Sequence, residues 1–202
     1  MNTENNKHLH RLDELSNWKV ASDDPDVRGW TLTDKQGKKV GEVKNLLVSK
    51  DAQKVRYLDV AVDQSILDLN YKPYGSGSAN NLSASDSISG REVAAADGRA
   101  SEHTGSISTH EYLNADGENH LIVPIGYARL DHDNHKVITD DIPYDTYART
   151  KRVKEDAIVK RNYETNVLHS YNRDKDESDE IPQDDTLYDR KEYRGEIYQR
   201  HR

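Results

Sequence analysis

Two histidine pairs are the first residues in this chain whose types and spacing could do chemistry. His8 and His10 form H-x-H, and His132 and His135 form H-x-x-H, spacings that could set two imidazoles on one metal ion. The second pair lies in "LDHDNHKV", where Asp, Asn and His are ordinary turn formers, and no cysteine or H-E-x-x-H stretch supplies further ligands. A turn is expected there, and no metal. The acidic run "DKDESDE", residues 174–180, alternates oxygens like a calcium loop. Asp179 stands where such a loop needs glycine, however, and Pro182 follows in place of a helix, so the run reads as solvated charge. Glu42 and Asp59, on adjacent expected strands, have the types of a general acid/base pair. Alternation turns at least one of them to water, and ordinary surface carboxylates are expected. Lys151, Arg152 and Lys154 form a basic cluster blunted by Glu155 and Asp156, for which helix-surface ion pairs are the expected use. "YGSGSAN" lacks the G-K-[S/T] ending of a phosphate loop, and the serines and nine histidines show no nucleophile-elbow context. No catalytic, cofactor-binding or metal residue is assigned, and no cofactor is expected.

The elements that would position any such group are mostly strands. "WTLT", "KKVGEVKNLLV" and "KVRYLDVAV" are separated by "DKQG" and "SKDAQ", polar connections of hairpin length, and predict three consecutive antiparallel strands. "VGEVKNLLVS" has helical spacing in Val43, Leu46 and Leu47, but it is short, contains Gly41 and is bounded by turn chemistry, so it reads as a strand. Leu46 to Val48 are then buried on both faces or lie at a bulge. "HLIVPIG", "YARLD" and "KVIT" predict further strands, the last two joined by a turn at "HDNH". Pro143 at a first helical position opens a short helix carrying Tyr144 and Tyr147. A second helix is expected with Tyr163, Val167 and Tyr171 on one stripe. Leu9, Leu12 and Leu15 predict a short turn or helix at the N-terminal end.

Composition limits the function classes. The formal charge of −8 repels phosphate backbones and anionic lipid, so no nucleic-acid role is expected. No cysteine is present, which removes disulfides and thiol chemistry and suits a cytoplasmic setting. No run approaches the roughly 20 apolar residues that span a bilayer, so a soluble protein is expected. Twelve tyrosines and no phenylalanine mean that every aromatic ring but the two tryptophans carries a hydroxyl, which predicts a shallow, half-exposed core.

In order along the chain, Asp26, Arg28 and Gly29 before the first strand, "DKQGKKVGEV" with Gly41, "VRYLDV" with Tyr57, and "LIVPIGYARL" with Pro124 and Gly126 resemble the PRC-barrel family. More narrowly, they resemble the cytoplasmic domain of the photosynthetic reaction centre H subunit. The resemblance implies a mainly β fold: a small, strongly bent antiparallel PRC-type β-barrel, with short C-terminal helices and a long disordered insertion. The barrel is expected at 8–72 and 119–172, a low-complexity flexible insertion at 73–118, and a charged, partly disordered tail at 173–202 that could dock or fray. In the H subunit the domain caps a membrane complex and helps pass protons toward a quinone without catalysing a reaction; no carboxylate near Glu164 carries that role over. The expectation is a non-enzymatic interaction or assembly module with a protein partner or a second copy of itself. The alternative is an accessory subunit for electron or proton transfer, touching a membrane complex only peripherally.

Overall fold

The computed structural model describes residues 7–74, 114–173 and 180–194. The expected insertion falls largely, and the run 174–179 wholly, outside the described residues. Among the described residues seven strands form one sheet: β1 (His10–Arg11), β2 (Thr31–Asp34), β3 (Lys39–Ser49), β4 (Lys54–Val62), β5 (His120–Pro124), β6 (Ala128–Asp131) and β7 (Lys136–Thr139). The order is β5-β4-β3-β2-β7-β6, with β1 paired to β3 off that path. The α-helices among the described residues are α1 (Gln64–Asp68), α2 (Tyr144–Arg149) and α3 (Arg161–Tyr171). The strand reading of "VGEVKNLLVS" holds, and β2, β3 and β4 are the expected antiparallel run.

Bulges explain why alternation is hard to read there. The β2–β3 register skips Val40, and the β3–β4 register skips Lys44 on β3 and Arg56 on β4. Each extra residue bends the strand and raises its twist, so Leu46, Leu47 and Val48 are all buried. Gly41 is required by close approach: a Cβ there would strike the Ala61 carbonyl and Val60.

Two features depart from an antiparallel barrel. β2 and β7 pair in parallel, Thr31 opposite Lys136 through Asp34 opposite Thr139. The ladder also does not close, although a single 3-10 turn, Ile125–Tyr127, joins the two strands at its ends, β5 and β6. The sheet therefore curls until its ends meet through the chain, while the outer edge of β5 is taken by other groups. His120 exchanges two backbone hydrogen bonds with Val153, and the Tyr171 hydroxyl donates to the Ile122 carbonyl at 3.0 Å. Covered this way, the edge no longer offers a free ladder for pairing.

The core is deeper than a tyrosine-rich composition suggests. Tyr57, Tyr127, Tyr144, Tyr147, Tyr163, Tyr171, Tyr188 and Tyr193 are buried together with the Leu, Ile and Val side chains of the sheet. Burying each aliphatic side chain contributes about 1.5–3 kcal/mol, and the phenols add area because each hydroxyl finds a partner. Tyr147 donates to Thr139 Oγ1 at 2.7 Å, Tyr163 to the Lys151 carbonyl at 2.9 Å and Tyr127 to Asn172 Oδ1 at 2.7 Å.

Several smaller expectations are corrected. Pro143 is the N-cap of α2, one residue before its first turn. α2 ends at Arg149, so Lys151, Arg152 and Lys154 lie on an irregular connection and not on a helix. Helix α1, capped by Asp63 on the Ser65 amide, was not expected. Of the tail expected to dock or fray, residues 181–193 take the first course and dock, burying Ile181, Leu187, Tyr188 and Tyr193 through two 3-10 turns, Asp185–Asp189 and Lys191–Tyr193.

Candidate functional site

Tyr57 and Asp59 lie two apart on β4 and so share a face, the face that α3, β1 and the docked segment 181–193 cover. Glu164 enters this layer from α3 and is fully buried. Its Oε1 accepts the hydroxyls of Tyr57 at 2.9 Å and Tyr188 at 2.6 Å; its Oε2 accepts His8 Nε2 at 2.6 Å, and Arg161 stands at 3.3 Å. With its proton given to Glu164, the Tyr57 oxygen accepts from the Tyr193 hydroxyl at 2.5 Å. Burial first, then Tyr193 and Glu164, hold the Tyr57 phenol well above its ordinary value, so it stays a neutral donor. The Tyr188 ring lies between two guanidiniums, Arg56 at 4.3 Å and Arg161 at 4.7 Å. Arg56 is the residue left out of register by the β4 bulge.

A second buried group sits beside it. Arg11 Nε donates to Asp59 Oδ2 at 3.0 Å, His120 Nδ1 donates to Asp59 Oδ1 at 2.7 Å, and the Arg11 guanidinium also reaches the carbonyls of Glu155 and Ala157. Asp59 is therefore a buried carboxylate and not the surface one expected, whereas Glu42 is half-exposed and bonded to Lys44. The two are not an acid/base pair. Together the two networks fasten the N-terminal segment, the 151–160 connection and the 181–193 segment onto β4.

What this interior layer positions is a groove on the surface. The turn Ile125–Tyr127, the start of β6 and the 3-10 turn Lys191–Tyr193 form its walls, with a volume of about 470 Å³ for the outer part and about 300 Å³ for the inner. Gly126 makes the close approach possible, since a Cβ there would meet the backbone of Lys191 and Glu192. Tyr193, anchored on Tyr57, holds that second wall. Arg129 and His132 line the outer part with Asp140 and Asp141, and Asp141 extends into the inner part beside Glu192. Arg129 is tied to Asp140 by two hydrogen bonds, at 2.8 and 3.0 Å. The groove is open and carries both signs of charge, which suits a surface contact better than sequestration of a small apolar ligand.

The residues singled out from sequence divide accordingly. His8 is drawn to Glu164, while His10 pairs with Val48 in β1, its imidazole pushed down by partial burial and by Lys7 and Lys50. His132 and His135 both set their rings edge-on to Trp30, at 5.8 and 5.2 Å, so they form an aromatic cluster. Among the described residues no three His, Asp or Glu groups are gathered to hold an ion. Lys151 pairs with Glu118, and Arg152, buried, donates to the Glu118 carbonyl; burial pushes its guanidinium down. Asp26 and Arg28 form a local pair that holds the Asp26 carboxyl below its ordinary value through the Arg28 hydrogen bond, and Gly29, at φ +85°, donates to the Val43 carbonyl. Pro124 ends β5 opposite Tyr57. Glu164 is the residue that sequence reasoning passed over. Its signal was a carboxylate four and seven residues before Leu168 and Tyr171, on the apolar stripe of a helix where burial demands donors.

Among the described residues no helix is long and apolar enough to cross a membrane. No curated protein matches the chain. The family model described as PRC-barrel domain matches residues 20–71, which hold β2, β3, β4 and α1 with Asp26, Arg28, Gly29, Gly41 and Tyr57, and leaves Pro124, Gly126 and α3 outside the match. Within residues 20–71, which carry β2 to β4, the chain is thus similar to the PRC-barrel domain family.

Proposed function

We propose that the chain is a non-enzymatic PRC-barrel module that acts by binding another polypeptide, with the groove between Gly126 and Glu192 as its contact surface. The observation that carries this reading is the groove's construction: an open, charged surface with one wall on the turn that joins β5 to β6 and the other held through Tyr193 by the buried Tyr57–Glu164 network. Glu164, Asp59 and His120, the interior groups with the chemistry of catalysis, are bonded to the chain's own donors and acceptors. Surfaces held on a rigid scaffold lose little entropy when they bind.

A photo-cross-linking amino acid placed at His132, on the groove, and separately at Lys54, on the exposed start of β4, tests it. Capture of a defined polypeptide from His132 and not from Lys54 is expected. A monomer by light scattering with no capture from either position would remove the interaction reading.

One observation favours the accessory reading implied by the H-subunit resemblance. His8, Glu164, Tyr57 and Tyr193 form an unbroken line of exchangeable groups from a partly exposed imidazole into the interior. That reading needs a membrane-bound partner, and recovery of the protein only outside the membrane fraction of its native cell would remove it.

A further inference from the structure

We infer that the partner is a second copy of this chain, joined edge to edge through β6 so that the two sheets continue as one across a two-fold axis. The inference rests on the interaction reading above and names its partner and its surface. β6 is where the sheet is left unfinished. In the order β5-β4-β3-β2-β7-β6 it pairs only with β7, whereas β5 at the other end is covered by Val153 and Tyr171. The Thr31 amide takes the His135 carbonyl in the parallel β2–β7 ladder, so alternation turns Lys136 and Ile138 toward β6, opposite Asp131 and Arg129. Ala128 and Leu130 therefore turn their backbone groups outward. The Ala128 amide is spent on the Ile125 carbonyl. Among the described residues nothing bonds to the Ala128 carbonyl, to the Leu130 amide or carbonyl, or to the His132 amide. Ala128, Leu130 and His132 all line the open outer part of the groove.

An unpaired edge is a template for another strand, and the residues of this one complement themselves. In an antiparallel pairing centred on Leu130, the two Leu130 residues exchange both backbone bonds, and each Ala128 carbonyl meets the other copy's His132 amide. That register sets Arg129 opposite the other copy's Asp131, and unlike charges directly opposite stabilise a ladder. Centring the pair on Arg129 instead would set arginine against arginine, so the charges choose the register. Arg129 has a donor to give: its Nε and Nη2 hold Asp140, while its Nη1 makes no bond among the described residues. Asp131 accepts the amide and side chain of Asn134, one on each oxygen, and a carboxylate has room for a further donor. On the other face of the strand the half-buried Leu130 packs on its counterpart. With β5 covered and β1 two residues long, no other extended edge of the described sheet is open, so the contact is isologous and closes at two copies.

The test is sedimentation of the full chain from about 10 µM to about 1 mM, since so short a ladder makes a weak dimer. The mass should rise from one copy toward two. Arg129→Asp faces Asp131 with a like charge, and Asp131→Arg faces Arg129 with one, so each variant alone should dimerise about tenfold or more weakly. Mixed in equal amounts the two should recover the unaltered chain's mass, because each then meets its opposite; recovery also shows that both are folded. Amide exchange supplies a readout that needs no substitution: Leu130 and His132 should slow as concentration rises, while Arg129 and Asp131, bonded to β7, are slow throughout. A chain that stays monomeric at about 1 mM, a rise in mass that the single charge changes leave unaltered, or a mixture that fails to recover overturns the inference. So does a Leu130 amide protected equally at every concentration, which makes a segment of the same chain the occupant of the edge. Capture at His132 of a polypeptide other than this chain, with the unaltered chain monomeric, overturns this inference while leaving the interaction reading intact.

Discussion

Replacing Tyr57 by Phe removes one oxygen and keeps the packing, so its cost reports the hydrogen bonds alone. That oxygen donates to the buried Glu164 carboxylate at 2.9 Å and accepts from Tyr193 at 2.5 Å. A hydrogen bond to a charged group is worth about 1.5–3 kcal/mol net, and a buried hydroxyl left without its acceptor costs about 1–3 kcal/mol more. Because Glu164 keeps Tyr188, His8 and Arg161, and Tyr193 can relax toward the groove, we expect Tyr57→Phe to cost about 2–4 kcal/mol, a large share of the roughly 5–15 kcal/mol that holds a domain folded. Tyr193→Phe should cost less, about 0.5–1.5 kcal/mol, since Tyr57 then still donates to Glu164.

The asymmetry gives the decisive measurement. Urea unfolding at neutral pH, followed by circular dichroism, yields midpoints for the two single variants and the double one, with unchanged slopes showing that the unfolding transition is the same. With Tyr193 already Phe, replacing Tyr57 orphans no hydroxyl, so the double variant should be more stable than the sum of the singles predicts by about 1 kcal/mol or more. If Tyr57→Phe is no worse than Tyr193→Phe, or if the two costs simply add, the directional chain from Tyr193 through Tyr57 to Glu164 is wrong.

Asp59→Ala leaves Arg11 buried without its counter-charge and His120 without its hydrogen-bond partner, and should cost about 3–5 kcal/mol, against about 0.5 kcal/mol or less for Glu42→Ala; the same urea assay separates the two. Gly126→Ala drives a methyl into the backbone of Lys191 and Glu192, so a loss of about 1–3 kcal/mol should come with faster amide exchange at 191–193. Burial raises the phenols of Tyr57, Tyr147, Tyr163, Tyr171, Tyr188 and Tyr193 above the 10.0 of an exposed tyrosine. In the native state they bind protons that the unfolded chain has released. Stability is therefore complete below pH 10 and falls as pH rises beyond it, and tyrosinate absorbance should appear together with the loss of native circular dichroism, not before it.

The parts of this molecule legible from sequence are those set by near neighbours. Strands β2 to β4 follow from apolar segments cut by "DKQG" and "SKDAQ", and the buried stripe of α3 from Tyr163, Val167 and Tyr171. The parallel pairing of β2 with β7 was not legible, because the direction of a four-residue strand is decided by where the intervening chain returns and not by its own residues. Alternation predicts an exposed Asp59 because it assumes one wet face, whereas β4 is covered on both. The polar layer itself was invisible for the same reason at larger scale: His8 meets Glu164 across 156 residues and Tyr57 meets Tyr193 across 136. Yet its necessity was written in the composition. A chain with twelve tyrosines and no phenylalanine can build a deep aromatic core only if each phenol is given an acceptor, and a buried carboxylate can accept two at once. Glu164 is what lets Tyr57 and Tyr188 go inside, and through Tyr57 it carries Tyr193 and the groove wall with it. The same residue that closes the core on one side therefore sets the position of the surface on the other, and a change at Glu164 should be felt as faster amide exchange at 191–193 without touching the groove.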